Sequence, residues 1–356
     1  MTLPIFYYAK GTTWFWNWGG ITVNNDLSGI NLFGYQLGVA PPAIGGYLNA
    51  LDGKTIAWGT EDPFPQFLNP ALWRTKNVNY PAQTAFMGPS IVDGVNQIVA
   101  DIKLQPVGTP VALGGYSQGA AVMSCVYNEF RNGRLRDRRS DLRAVVTFGN
   151  PMREAGHTYQ GSSGYSGACD IFGDTRSGHG TFPALQDIPV VNPYVRRFAR
   201  LQGTEEFFWD FTMPNETISG VGDSANGKKL VNNFTLQGLT QFPIFALAFI
   251  QEAAALWNNF GKAPLGVPQN ADNLVQRIDA LTGAISYVPG GGHIMYPFYP
   301  PPNSDGIIPG TGDTCFQMAA KYINSVGQKI YDQAHPTVPA PIYKPSYQWF
   351  STLPGG

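Results

Sequence analysis

The apolar positions of the 356-residue chain follow two alternating patterns. Short apolar runs bounded by Gly, Pro or polar clusters predict buried strands at Ile5 to Ala9, Pro110 to Leu113, Leu142 to Phe148 and Glu205 to Met213. Between them, apolar residues recur at helical spacing. Ile91, Val95, Ile98, Val99 and Ile102 predict a helix that opens at Pro89-Ser90 with Ser90 as its N-cap. Ala120, Ala121, Met123, Val126, Tyr127 and Phe130 predict a second helix over Gln118 to Arg131, and a third runs over Phe316 to Ile330. Strands alternating with helices predict a parallel sheet covered by helices, the α/β class.

Elsewhere the pattern weakens. Residues 17–75 are rich in Gly, Asn and Pro and predict loops, with one helix around Leu37 to Leu51. Residues 154–200, rich in Gly and Ser, predict a long loop insertion without a strand or helix period. Leu230 to Leu239, Phe242 to Trp257 and Ala271 to Leu281 predict helices of low charge, a cap or linker set into the core. The reading divides the chain into a core at 1–226 with its loop insertion, a helical insertion at 227–289, and completion of the core with a Pro-rich tail at 290–356.

Composition narrows the class. Hydrophobic residues make up 43% and charged residues only 13%, with 42 Gly and 29 Pro, which suits a loop-rich globular protein. A net charge of −1 offers no footprint for nucleic acid. The dense charges of Arg131 to Arg143 read as a solvated face. The N-terminal Met1 to Phe6 lacks the basic and apolar regions of a secretory signal, and Phe245 to Ile250 is far too short to span a bilayer. Cys125 reads as a small core residue, and a Cys169–Cys315 bridge is open to the spacing.

Candidate chemistry centres on Gly115-x-Ser117-x-Gly119, set between a predicted strand and helix. A serine on such a sharp turn presents its hydroxyl at a helix N-terminus, where the N–H of Gln118 can hold a developing oxyanion. The loop after the first strand supplies the second donor in this layout; Thr12 is the candidate, beside the plain reading of Gly11-Thr12 as a turn. Trp14, Phe15, Trp16 and Trp18 follow, as core or as an apolar rim. The serine needs a base and the base an orienting carboxylate. His157 and His179 fall in or beside the loop insertion and His335 in the tail, leaving His293 after Gly290-Gly-Gly292 as the base. Glu216 at the end of the last strand and Asp223 beyond it are the acid candidates; Asp210 reads as an ordinary strand residue.

Tyr116-Ser-Gln-Gly-Ala120, Gly149-Asn-Pro-Met-Arg153, Asn79-Tyr-Pro81 and His293 before Ile-Met-Tyr together resemble the lysin B family of mycobacteriophages. The resemblance covers 5–13, about 78–153, 206–218 and 290–297. It implies a cutinase-like α/β-hydrolase, a central parallel sheet flanked by helices with a helical linker. The implied activity is hydrolysis of the ester joining mycolic acids to arabinogalactan, without metal or cofactor. Ser117 and His293 match the family's nucleophile and base. Asp210-Phe-Thr-Met-Pro-Asn-Glu216 matches its acid pattern, with Asn for Gly and Glu for Asp, which favours Glu216 over Asp223. Synthesis without a standard signal and action on the host envelope fit the same resemblance. A general cutinase or lipase, and a non-catalytic envelope binder on the same scaffold, are the alternative readings.

Overall fold

The computed structural model describes residues 3–11, 64–82, 87–159, 178–213, 216, 218–220, 296, 300–303 and 309–336, and the backbone alone at 17–18, 21–22, 31–32 and 35–36. The predicted helix at 37–51, the aromatics Trp14 to Trp16, the helices of 227–289 and the tail from 337 lie outside the described residues.

Five parallel strands form the central sheet: β1 (Ile5–Ala9), β2 (Arg74–Asn77), β3 (Val111–Tyr116), β4 (Leu142–Phe148) and β5 (Phe208–Phe211), in the order β2-β1-β3-β4-β5. Chain order reverses direction between β1 and β3, so the C-terminal ends of these two strands flank the crevice where such sheets bind ligands. Alternate residues serve the two faces. Ile5, Tyr7, Val111, Leu113, Val145 and Phe208 pack towards helices α1 (Met87–Leu104) and α2 (Gln118–Asn132). Phe6, Tyr8, Ala112, Val146, Phe148 and Phe211 pack towards residues 64–73 and the C-terminal helix α4 (Cys315–Ala334); α3 is the single turn Pro193–Arg196. The arrangement is the three-layer α/β-hydrolase architecture expected from the sequence. Among the described residues no helix is long and apolar enough to cross a membrane.

Several expectations are corrected. α1 begins at Met87, so Ser90 lies inside the first turn rather than capping it; Pro89 is tolerated there because first-turn N–H groups lack helical partners. β2 falls where only loop was predicted. It is an edge strand of Arg-Thr-Lys-Asn with mostly exposed side chains, so no apolar alternation marks it. β3 runs through both glycines to Tyr116, while β5 is shorter than predicted. The back half of the supposed loop insertion is core: Phe182, Ile188, Val195 and Phe198 are buried against α2. These anchors sit on irregular backbone or, for Val195, on the single turn α3, which is too short to show a period. The charge run is not uniformly solvated. Arg138 and Asp141 are buried as an ion pair, and the guanidinium also donates to the carbonyls of Ile102, Gln105 and Pro106. α4 starts at a capping box, with Thr314 Oγ1 accepting from the Gln317 N–H and the Gln317 side chain from the Thr314 N–H. Cys315 is a free buried thiol beside Met213, which removes the bridge to Cys169; Cys125 is a buried free thiol as expected.

Candidate active site

The turn between β3 and α2 holds Ser117 at φ 55° and ψ −120°, a region open to glycine and strained for any other residue. Its N–H donates to the Phe148 carbonyl at 2.8 Å, tying the turn to the end of β4. Its own carbonyl accepts from Ala120 and Ala121 and so starts α2. The flanking glycines are forced by contact. A Cβ on Gly115 would lie 2.4 Å from the Gly119 carbonyl oxygen, and one on Gly119 would lie 2.0 Å from that of Ala9. The end of β1 therefore presses on the first turn of α2. Gly11 follows immediately: a Cβ there would be 2.7 Å from the Tyr116 ring and 3.3 Å from Ser117 Cβ. The chain thus passes the serine directly before residue 12. Gln118 is buried at the N-terminus of α2, where helix-end N–H groups favour negative charge.

Glu216 is fully buried, and its neighbours are donors. The N–H groups of Ile218 and Ser219 donate to its carboxylate at 2.7 and 3.1 Å, and the Ser219 hydroxyl donates to it as well. The Tyr296 hydroxyl donates to Oε2 at 2.9 Å. The Tyr296 ring stands edge-on to Tyr116, centroids 6.2 Å apart, and so joins the Glu216 turn to the residue preceding Ser117. Burial, and then the Glu216 charge, push the Tyr296 phenol well above its ordinary value, so it remains a donor. Arg153 of the Gly-Asn-Pro-Met-Arg motif, also fully buried, donates through Nε to the Ser219 carbonyl and through Nη1 to the His157 carbonyl at 2.7 Å. It anchors the same turn from the other side.

Asp210 is not an ordinary strand residue. Fully buried, it accepts from Thr147 Oγ1 and from Asn150 Nδ2 at 3.2 Å. Asn150 also binds the Ser124 hydroxyl on α2 and the Met152 N–H. Burial raises the Asp210 carboxyl to about 6, against the lowering effect of its hydrogen bonds. The histidines set aside by position are held by backbone carbonyls: His157 Nε2 by Phe208 at 2.7 Å, His179 Nδ1 by Gly180 at 2.8 Å, and His335 Nδ1 by Tyr331 at 3.1 Å. His293, Thr12 and Asp223 lie outside the described residues. Sequence reasoning missed Tyr296, Ser219 and Arg153 as supports of Glu216. The available signal was position alone, with Tyr296 three residues beyond His293 and Arg153 closing a recognised motif.

Residues 68–186 match the family model for cutinase. Two curated relatives, each an endolysin B, come from Mycobacterium phage L5 and Mycobacterium phage D29. They are 39% and 37% identical over 87 residues, which is 23% of this chain and 34% of each relative. The chain thus matches about a third of the length of these relatives. Among solved structures, lysin B from mycobacteriophage D29 aligns over 82% of this chain and 95% of its own at 15% identity, with a TM-score of 0.35. The fold rests on the parallel sheet and on the family match. Residues 68–186, which include Ser117 and Gln118, carry the cutinase signature on an α/β-hydrolase sheet, and the chain is cutinase-like and similar to the endolysin B proteins of mycobacteriophages.

Proposed function

We propose that the chain is a serine carboxylesterase of the lysin B kind. The observation that carries the reading is the backbone of Ser117, a non-glycine residue held at φ 55° between a strand and a helix, at the point where the sheet order reverses. Ser117 Oγ attacks the ester carbonyl carbon while His293 takes its proton. The N–H groups of Gln118 and Thr12 hold the oxyanion. The bond to the alcohol oxygen breaks, and His293 returns the proton to that oxygen. Water then releases the acid by the same steps in reverse. Glu216 orients His293. The seating of Tyr296 between Tyr116 and Glu216 supports this assignment, because His293 is only three residues before it and a chain of that length spans at most about 10 Å. No step requires a metal or cofactor.

We propose as substrate the ester between mycolic acids and arabinogalactan in the host's outer envelope; the resemblance of Tyr116-Ser-Gln-Gly-Ala120 and Gly149-Asn-Pro-Met-Arg153 to the lysin B family supports this choice. The test is hydrolysis of a chain-length series of chromogenic esters, then of purified mycolyl-arabinogalactan, by wild type, Ser117→Ala, Glu216→Gln and Asp223→Asn. Loss of turnover in Ser117→Ala and Glu216→Gln, with Asp223→Asn active and free mycolic acid released by wild type, is the expected result. Collapse of Asp223→Asn instead moves the acid to Asp223. Short esters cleaved without attack on the wall substrate would make the protein a general cutinase-type esterase. Full activity in Ser117→Ala would overturn the esterase reading.

A further inference from the structure

Tyr80 and Ser90 have no part in the reaction just described, yet both grip the elements that would surround the oxyanion. Tyr80 Oη donates to the Lys10 carbonyl at 2.6 Å. Lys10 precedes Gly11, the residue packed against Tyr116 and Ser117, and a Cβ on Gly119 would fall 2.4 Å from that same carbonyl oxygen. Tyr80 therefore fixes the peptide where the end of β1 meets the elbow. Ser90 Oγ donates to Gln118 Oε1 at 3.0 Å, and both residues are buried. One turn further along both helices, Gly94 lets α1 close on α2. A Cβ there would be 3.1 Å from Val122 Cγ1 and 3.2 Å from the Tyr80 ring. That close approach brings the Ser90 hydroxyl within reach of Gln118, and the Tyr80 ring lies in the same contact. Ala82, two residues beyond Tyr80, is also strained: among the described residues, Ala82 at φ 51° and Ser117 are the non-glycine positions with positive φ.

We infer that Tyr80 and Ser90 are positioning residues for the oxyanion site. Ser90 holds the Gln118 side chain and so ties the first turn of α2, which carries the Gln118 N–H, to α1. Tyr80 holds the Lys10–Gly11 peptide, from which the segment bearing the second donor departs. The inference rests on the esterase reading with Ser117 as nucleophile. A donor is effective only within about 2.7–3.1 Å of the developing charge, and outright loss of one donor costs about 10²–10³ in kcat. Loosening a donor without removing it should cost about tenfold, since a displacement of about 1 Å can cost up to 10²-fold.

The experiment compares Tyr80→Phe, Ser90→Ala and Ser117→Ala with wild type on a short-chain p-nitrophenyl ester. Rates are normalised to active sites titrated with a fluorophosphonate, so that unfolded protein is not counted as slow enzyme. Expected are a roughly tenfold loss of kcat in each positioning variant, KM within about twofold, and weaker binding of an alkyl trifluoromethyl ketone by the same factor as the loss in kcat/KM. An inactive Ser117→Ala with unchanged normalised kcat and ketone affinity in Tyr80→Phe and Ser90→Ala overturns the positioning role and leaves the esterase intact. A fully active Ser117→Ala overturns the esterase reading and this inference with it.

Discussion

Ser117→Gly, set against Ser117→Ala, isolates the strain at the elbow. Both variants lose the hydroxyl, so the difference between them is the Cβ alone. At a buried, unstrained position, replacing Ala by Gly costs about 0.5–1 kcal/mol in chain entropy and about 0.8 kcal/mol for the buried methyl, roughly 1.5 kcal/mol together. At φ 55° and ψ −120° a non-glycine residue carries strain of about 1–3 kcal/mol, which glycine releases. Taking the middle of that range, Ser117→Gly comes out about 0.5 kcal/mol more stable than Ser117→Ala, against a loss of about 1.5 kcal/mol at an ordinary site. Equilibrium urea unfolding of the two variants, checked by thermal melts, measures the difference directly. A Ser117→Gly variant weaker than Ser117→Ala by the full 1.5 kcal/mol would refute the claim that the elbow stores strain.

Asp141→Asn leaves the Arg138 guanidinium buried without its counter-charge and should lower the unfolding free energy by about 3–5 kcal/mol in urea titrations. The pH dependence of Asp210 has a definite sign. Its carboxyl rises from 3.8 to about 6 on folding, so the folded state holds the proton more tightly and stability is lost as pH rises from about 4 to 6. The stability of wild type relative to Asp210→Asn should therefore fall across that window, by about 3 kcal/mol at most, and level off above it; a flat difference would contradict the shift. Gly119→Ala drives a methyl into the Ala9 and Lys10 carbonyl oxygens. It should destabilise by about 2 kcal/mol and remove ester hydrolysis, read by melting and turnover together.

The strands β1, β3 and β4 and the helices α1, α2 and α4 were legible because each buries an apolar run or stripe whose spacing survives in the sequence. β2 was not, since its pairing with β1 uses backbone groups and its side chains face water. Phe182, Ile188 and Val195 were missed for a related reason: they stand on irregular backbone or on the single turn α3, in pieces too short for a strand or helix period to show. At the site, Ser117 was legible because its strain requires glycines at fixed offsets. The supports of Glu216 were not, because Tyr296 reaches its carboxylate, and Arg153 the Ser219 carbonyl of the same turn, from segments 80 and 66 residues away in the chain. Ser90 was assigned the wrong task on good local grounds. Serine beside proline ahead of an apolar stripe is a capping signal, and only the neighbouring helix reveals that its hydroxyl is engaged elsewhere.

The candidate site thus depends on polar groups that are buried rather than on a polar surface. Asp210, Asn150 and Ser124 link β5, the loop after β4 and α2. Arg153 and Tyr296 link the Glu216 turn to that loop and to the elbow. Tyr80 and Ser90 link β1 and α1 to the other flank. Each link leaves a polar group without its partner if either element moves, at about 1–3 kcal/mol per group. Strain at Ser117 relaxes only by such a movement, because the glycine contacts at 115 and 119 leave the turn no room to adjust alone. The buried polar links therefore maintain the strained turn at the sheet's reversal point.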